Sequence, residues 1–112
     1  MNYSDESIPI TVPHEELVSF CLRWKIVELS LFGSAADACR FHPDSDIDLL
    51  ATFAEDAAWS LLDHAKMEFE LIEIFGGGRE VDLINRRVVE KSQNTIRRQR
   101  ILASARRLYS AA

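Results

Sequence analysis

The order of hydrophobic periodicities along this chain predicts a small α/β or α+β domain, a mixed sheet with helices packed against it. Three observations carry that prediction. Segments of helical period alternate with shorter segments of strand period, in the order helix, strand, strand, helix, strand, helix. The length of 112 residues is enough for one domain and too little for two, so 1–112 is expected to form a single unit. Hydrophobic residues at 47% and charged residues at 28% are ordinary proportions for a soluble globular core.

The elements follow in order. Pro13, with Glu15 and Glu16 just behind it, suits the first turn of a helix, where a missing N–H is harmless and acids meet the positive end of the dipole. Leu17, Val18, Cys21 and Leu22 then recur at helical steps, which predicts a helix over 13–24. Lys25 to Phe32 is rich in Ile, Val, Leu and Phe and stops at Gly33-Ser34, as a strand running into a turn does. From Asp46 to Phe53 a second strand is expected, with Ile47, Leu49, Ala51 and Phe53 alternating with Asp46, Asp48, Leu50 and Thr52. Ala58, Leu61, Leu62, Ala65, Phe69 and Ile72 give 57–75 a helical apolar stripe that ends at Gly76-Gly77-Gly78. Arg79 to Asn85 reads as a short third strand, with Val81 and Leu83 on one face and Glu80, Asp82 and Ile84 on the other. A last helix is predicted over about 94–110, where Ile101, Leu102, Ala105, Leu108 and Tyr109 align opposite Arg100 and Arg107.

The net charge of −5 conceals a split. Residues 86–112 hold Arg86, Arg87, Lys91, Arg97, Arg98, Arg100, Arg106 and Arg107 against Glu90 alone, a local charge of +7. Residues 1–85 hold five bases and 17 acids, a charge of −12. A basic helical tail has two readings, a solvated face or a docking surface for an acidic partner or for phosphates. RNA binding by the tail is disfavoured, because only Tyr109 is there to stack on a base and the rest of the chain repels a phosphate backbone. Two cysteines, Cys21 and Cys39, are too few for a disulfide framework. The N-terminus has no signal-peptide pattern, and no apolar run approaches the ~20 residues that span a bilayer. A cytoplasmic protein with no membrane partner is therefore expected. His14, His42 and His64 lack metal-ligand spacing, Cys39 has no base beside it, and Trp24, Trp59 and the phenylalanines are expected in the core.

Chemistry concentrates in Gly33-Ser34 after one strand, Asp46-Ile47-Asp48 opening the next, and Asp82 in the third. Strand alternation projects Asp46 and Asp48 from one face, where two carboxylates repel each other and resist burial unless a cation joins them. Mg²⁺ takes hard oxygen ligands of this kind, together with phosphate oxygens of a substrate. With Asp82 as a third carboxylate the set could hold two ions ~3.5–4 Å apart. Gly33 permits close approach of a phosphate, and the Ser34 hydroxyl and amide can donate to its oxygens. The parts fit nucleotidyl transfer, with Asp46, Asp48 and Asp82 as catalytic and metal-binding residues and Gly33 and Ser34 holding the nucleotide.

Leu31-Phe32-Gly33-Ser34, then Pro43-Asp44-Ser45-Asp46-Ile47-Asp48-Leu49-Leu50, then Val81-Asp82-Leu83-Ile84 resembles the signature of the polymerase-β-like nucleotidyltransferases. The likeness is greatest to their smallest branch, the minimal nucleotidyltransferase (MNT) antitoxins, and it runs from about Leu17 through the C-terminal segment Asn94 to Tyr109. The resemblance implies an ATP- and Mg²⁺-dependent transferase that adds AMP to a tyrosine of a partner HEPN ribonuclease toxin and so neutralises it. This sequence departs from the family pattern in two ways. The family's Gly-Ser-Arg-Ala-Arg-Gly reads here Gly33-Ser34-Ala35-Ala36-Asp37-Ala38, and eleven residues rather than ten separate Ser34 from Asp46. Loss of both arginines raises an alternative, an antitoxin that neutralises its toxin by binding alone. A free-standing transferase for a small-molecule acceptor is a third reading.

Overall fold

The computed structural model of the chain describes residues 12–33 and 46–111. Its elements are α1 (His14–Arg23), β1 (Ile26–Phe32), β2 (Ile47–Phe53), α2 (Leu61–Phe75), β3 (Val81–Asn85), α3 (Arg86–Glu90), α4 (Thr95–Ser104) and β4 (Arg106–Ser110). The strands form one mixed sheet in the order β3-β2-β1-β4. β1 runs antiparallel to both β2 and β4, and β2 runs parallel to β3.

Alternation along the strands gives the sheet two apolar faces, and each is covered. On one face Leu29, Leu31, Ile47, Leu49, Val81 and Leu83 pack with Leu17, Phe20 and Cys21 of α1 and with Met67 and Leu71 of α2. On the other, Phe32 and Leu50 pack with Val89 of α3 and Ile101 of α4. The fold class read from the sequence is the one observed.

The start of α2 moved for a physical reason. α2 starts at Leu61 instead of 57, because Ser60 and Asp63 form a reciprocal capping box that fixes the first turn. Ser60→Ala removes the acceptor for the Asp63 N–H, and urea unfolding should show a midpoint lowered by about 1 kcal/mol of stability with an unchanged slope. The apolar stripe read for α2 is also overturned: of Ala58, Leu61, Leu62, Ala65, Phe69 and Ile72, only Ile72 packs against the core. Met67 and Leu71 are fully buried, with Ile74 and Phe75 packed beside them, whereas Leu61, Leu62 and Phe69 face solvent. The helix carries two apolar stripes, and the sheet takes the one spaced 67, 71, 74 and 75.

The predicted basic helix over 94–110 is corrected outright. α4 ends at Ser104, Ala105 turns to extended backbone at ψ 129°, and Arg106–Ser110 becomes β4. There Leu108 and Tyr109 are buried and the backbone pairs with β1, whose outer edge would otherwise lack a partner. The short helix α3 has no counterpart among the elements read from the sequence; Asn85 caps it by accepting from the Arg87 amide. Trp59 corrects another expectation. It stands at the surface, edge-on to Trp24 with ring centroids 5.1 Å apart, and its Nε1 donates to the Trp24 carbonyl.

Candidate functional site

The sheet register brings the predicted carboxylates to one end of one face. In the parallel β2–β3 pair Asp48 lies opposite Asp82, and across the antiparallel pair it lies opposite Phe32. Asp46 sits one alternation earlier, just before β2, where the Ile47 amide bonds to the Glu80 carbonyl and ties this strand entrance to that of β3. Ile47, Leu49, Val81 and Leu83 are drawn into the core on the opposite face, and this forces the aspartates outward.

Electrostatics show how close the groups are. Burial first, then the negative charges of Asp82 and Asp46, push the Asp48 carboxyl up from 3.8 to about 6, and protonated Asp48 donates a hydrogen bond to Asp82. Two carboxyls that meet in this way hold an excess of negative charge that a cation would relieve. Among the described residues no group of three or more His, Cys, Asp or Glu side chains is gathered tightly enough to hold a metal ion by itself. A pair of hard carboxylates that leaves further positions to substrate phosphates is nevertheless a donor set that suits Mg²⁺.

Gly33 ends β1 beside this pair. Its φ of +65° is left-handed, and a Cβ placed there would stand 2.9 Å from Asp48 Oδ2, so glycine serves both the turn and the close approach. The Gly33 N–H donates to Ser104 Oγ at 3.3 Å, and the Ser104 hydroxyl donates to the Ile101 carbonyl at 3.1 Å. The last turn of α4 thus holds the end of β1 in place. Sequence reading missed Ser104, and nothing marks it without the fold, since it lies in a segment of helical period and meets Gly33 only in space. Ser34, Ala35, Asp37, Cys39 and His42 lie outside the described residues.

Several of the other singled-out residues have structural partners. Glu28 accepts from Arg86 at 3.1 Å and lies 3.8 Å from Arg107, and Arg86 also reaches Glu90. Part of the basic tail is therefore neutralised within the fold. His64 lies 3.6 Å from Glu68. Glu68 also accepts from the Leu83 amide on the outer edge of β3, a second residue that the sequence did not single out. Cys21 is buried, and burial pushes its thiol up from 9.0 to about 12. A raised thiol leaves stability untouched at neutral pH and lowers it as pH rises through the unfolded value of 9.0, where only the unfolded chain deprotonates. Mass spectrometry after iodoacetamide at mildly alkaline pH should find Cys21 unmodified in the folded chain and alkylated in urea.

No helix among the described residues is long and apolar enough to cross a membrane. A family model described as a nucleotidyltransferase domain matches residues 15–108. No curated protein matches the sequence. Among solved structures, one of a minimal nucleotidyltransferase is 32% identical, with 83% of this chain and 86% of that chain covered and a TM-score of 0.61. A toxin–antitoxin structure with AMP-PNP is 19% identical, covering 88% and 74% of the two chains at a TM-score of 0.64. A complex of a tri-AMPylated Shewanella oneidensis HEPN toxin with an MNT antitoxin is 18% identical, covering 87% and 69% at a TM-score of 0.57. At such identities the last two speak to the fold alone.

Proposed function

The chain belongs to the nucleotidyltransferase domain family, and we propose that within it this protein is an antitoxin-type adenylyltransferase that moves AMP from ATP onto a hydroxyl of a HEPN toxin and so neutralises it. One observation carries the reading: the Asp48 and Asp82 carboxyls meet across the β2–β3 pair with the Gly33 backbone directly against them. The structural likeness to a toxin–antitoxin structure with AMP-PNP, and to an MNT antitoxin solved with a tri-AMPylated HEPN toxin, supports the choice of partner and of transferred group.

In the transfer an acceptor oxygen bonds to the α-phosphorus of ATP, the bond from that phosphorus to the β-phosphate bridge breaks, and pyrophosphate leaves. Asp46, Asp48 and Asp82 would hold Mg²⁺, which supplies charge neutralisation for the triphosphate and lowers the pKa of the attacking hydroxyl. The hydroxyl proton passes to the carboxylate cluster. Gly33 leaves room beside Asp48 for a phosphate, and Ser34 donates to its oxygens. Ser104 keeps that turn in register by accepting from the Gly33 amide.

Incubation with α-labelled ATP, Mg²⁺ and a HEPN protein encoded beside this chain should label the HEPN protein, and Asp46→Asn or Asp48→Asn should remove the label. Absence of label with the unsubstituted chain would reject the reading. Ala35 and Asp37, in place of the family's arginines, favour a second reading in which the protein neutralises its toxin by contact alone. That reading predicts that a chain with all three aspartates replaced still rescues cells from the toxin. Loss of rescue by a triple variant that still binds the toxin would reject it.

A further inference from the structure

Folding divides the arginines of the C-terminal segment into two groups. Arg86 and Arg107 are paired with Glu28, and the Arg98 guanidinium donates to the Ser92 carbonyl at 2.9 Å. Arg97 and Arg100, both on α4, are exposed and hold no ion pair among the described residues. Their charge is not used by the fold.

Two contacts fix the rotation of α4 and hence where these groups stand. Ile101 is buried against Phe32 and Leu50, and Ser104 Oγ accepts from the Gly33 N–H at 3.3 Å. Arg97, Arg100 and Ser104 are spaced by three and four residues, so both arginines share the helix face that Ser104 presents to Gly33. At ~1.5 Å of rise per residue, Arg100 lies about 6 Å and Arg97 about 10 Å along the axis from Ser104. Gly33 stands directly against Asp48, whose Oδ2 is 2.9 Å from where a Cβ would be. The carboxylate end of the sheet therefore has two uncommitted guanidinium groups along its α4 side. Such charge has a use there. A nucleoside triphosphate brought to Asp46, Asp48 and Asp82 adds anions to anions, and Mg²⁺ offsets only part of the sum. Between Gly33 and Asp46 the sequence supplies a single strong base, Arg40, against Asp37 and Asp44. That stretch is acidic on balance, whereas α4 carries three arginines and no acid.

We propose, resting on the transferase reading, that Arg97 and Arg100 bind the β- and γ-phosphates of the nucleoside triphosphate. A guanidinium presents paired N–H donors that match two phosphate oxygens, and it stays protonated beside any neighbour. As the bond from the α-phosphorus to the bridging oxygen breaks, negative charge gathers on the pyrophosphate. The two arginines meet that charge where it develops. The site then holds opposite signs side by side, with carboxylates at the α-phosphate and guanidinium groups at the tail.

Isothermal titration calorimetry of the full chain with Mg²⁺ tests this, with α,β-methylene-ATP, whose bridge is not cleaved, compared against AMP, which lacks the tail. The unsubstituted chain should bind the triphosphate analogue more tightly than AMP. Arg97→Gln combined with Arg100→Gln should weaken the analogue by about tenfold or more and leave AMP unmoved. Arg97→Lys combined with Arg100→Lys should recover part of the loss, since charge returns without the paired donors. Both side chains are exposed, so circular dichroism should match the unsubstituted protein. An analogue affinity unchanged in the glutamine variant, or an equal weakening of analogue and AMP, would overturn the proposal and leave the transferase reading standing. So would a glutamine variant that keeps the analogue but loses a HEPN partner, which is the behaviour of a docking face. Failure of the unsubstituted chain to bind the analogue at all would reject both.

Discussion

Asp48→Asn is expected to lower nucleotidyl transfer by about a thousandfold and, in the same molecule, to raise the melting temperature of the metal-free chain. The two effects share one cause. Asp48 is half-buried, and desolvation together with the charges of Asp82 and Asp46 holds its carboxyl near 6, so at neutral pH its ionised form is an unfavourable component of the fold. An asparagine keeps the shape and can still donate to Asp82, but it brings no charge into the cluster. After allowance for solvent screening the gain is on the order of 1 kcal/mol. Adding Mg²⁺ should raise the melting temperature of the unsubstituted chain and leave Asp48→Asn nearly unmoved, because the cation relieves a repulsion that the variant no longer has. A variant that is less stable than the parent without metal would contradict this view of the site.

Gly33→Ala is expected to damage both the fold and the reaction. The backbone there is left-handed, a conformation that costs an L-residue about 1–2 kcal/mol. The added methyl would also stand 2.9 Å from Asp48 Oδ2. Asp48 can yield only by leaving its hydrogen bond to Asp82, so strain in the turn becomes disorder among the carboxylates. Denaturant unfolding should register a loss of about 2 kcal/mol, and transfer should fall further than stability alone explains. Ser104→Ala is the milder comparison. It removes the acceptor for the Gly33 amide and the hydroxyl that donates to the Ile101 carbonyl, and about 1 kcal/mol is expected.

Much of this arrangement was legible from residue order. The alternation of Ile47, Leu49 and Ala51 with Asp46 and Asp48, and of Val81 and Leu83 with Asp82, fixes which face each carboxylate takes before any partner strand is known. Their meeting needs only that β2 and β3 pair in parallel with Asp48 beside Asp82, as they do. The C-terminal segment was not legible, because Ile101, Leu102, Ala105, Leu108 and Tyr109 satisfy a helical period while the unpaired edge of β1 claims the last five of these residues' segment as β4. Local pattern cannot see a vacant strand edge. The same limit applied to α2, whose two apolar stripes compete for one sheet. Met67 and Leu71 won over Leu61, Leu62 and Phe69, and nothing within the helix itself decides between them. Ser104 and Glu68 were invisible for a related reason, since each acts on a backbone amide far from it in sequence.

Transfer of AMP to a protein by the carboxylate pair leaves a mass that can be read directly. Intact-mass spectrometry of a HEPN toxin co-expressed with this chain tests that most directly. The expected result is a toxin heavier by whole AMP units beside the unsubstituted chain, and an unmodified toxin beside Asp48→Asn. An unmodified toxin in both cases, or the same modification in both, would contradict it.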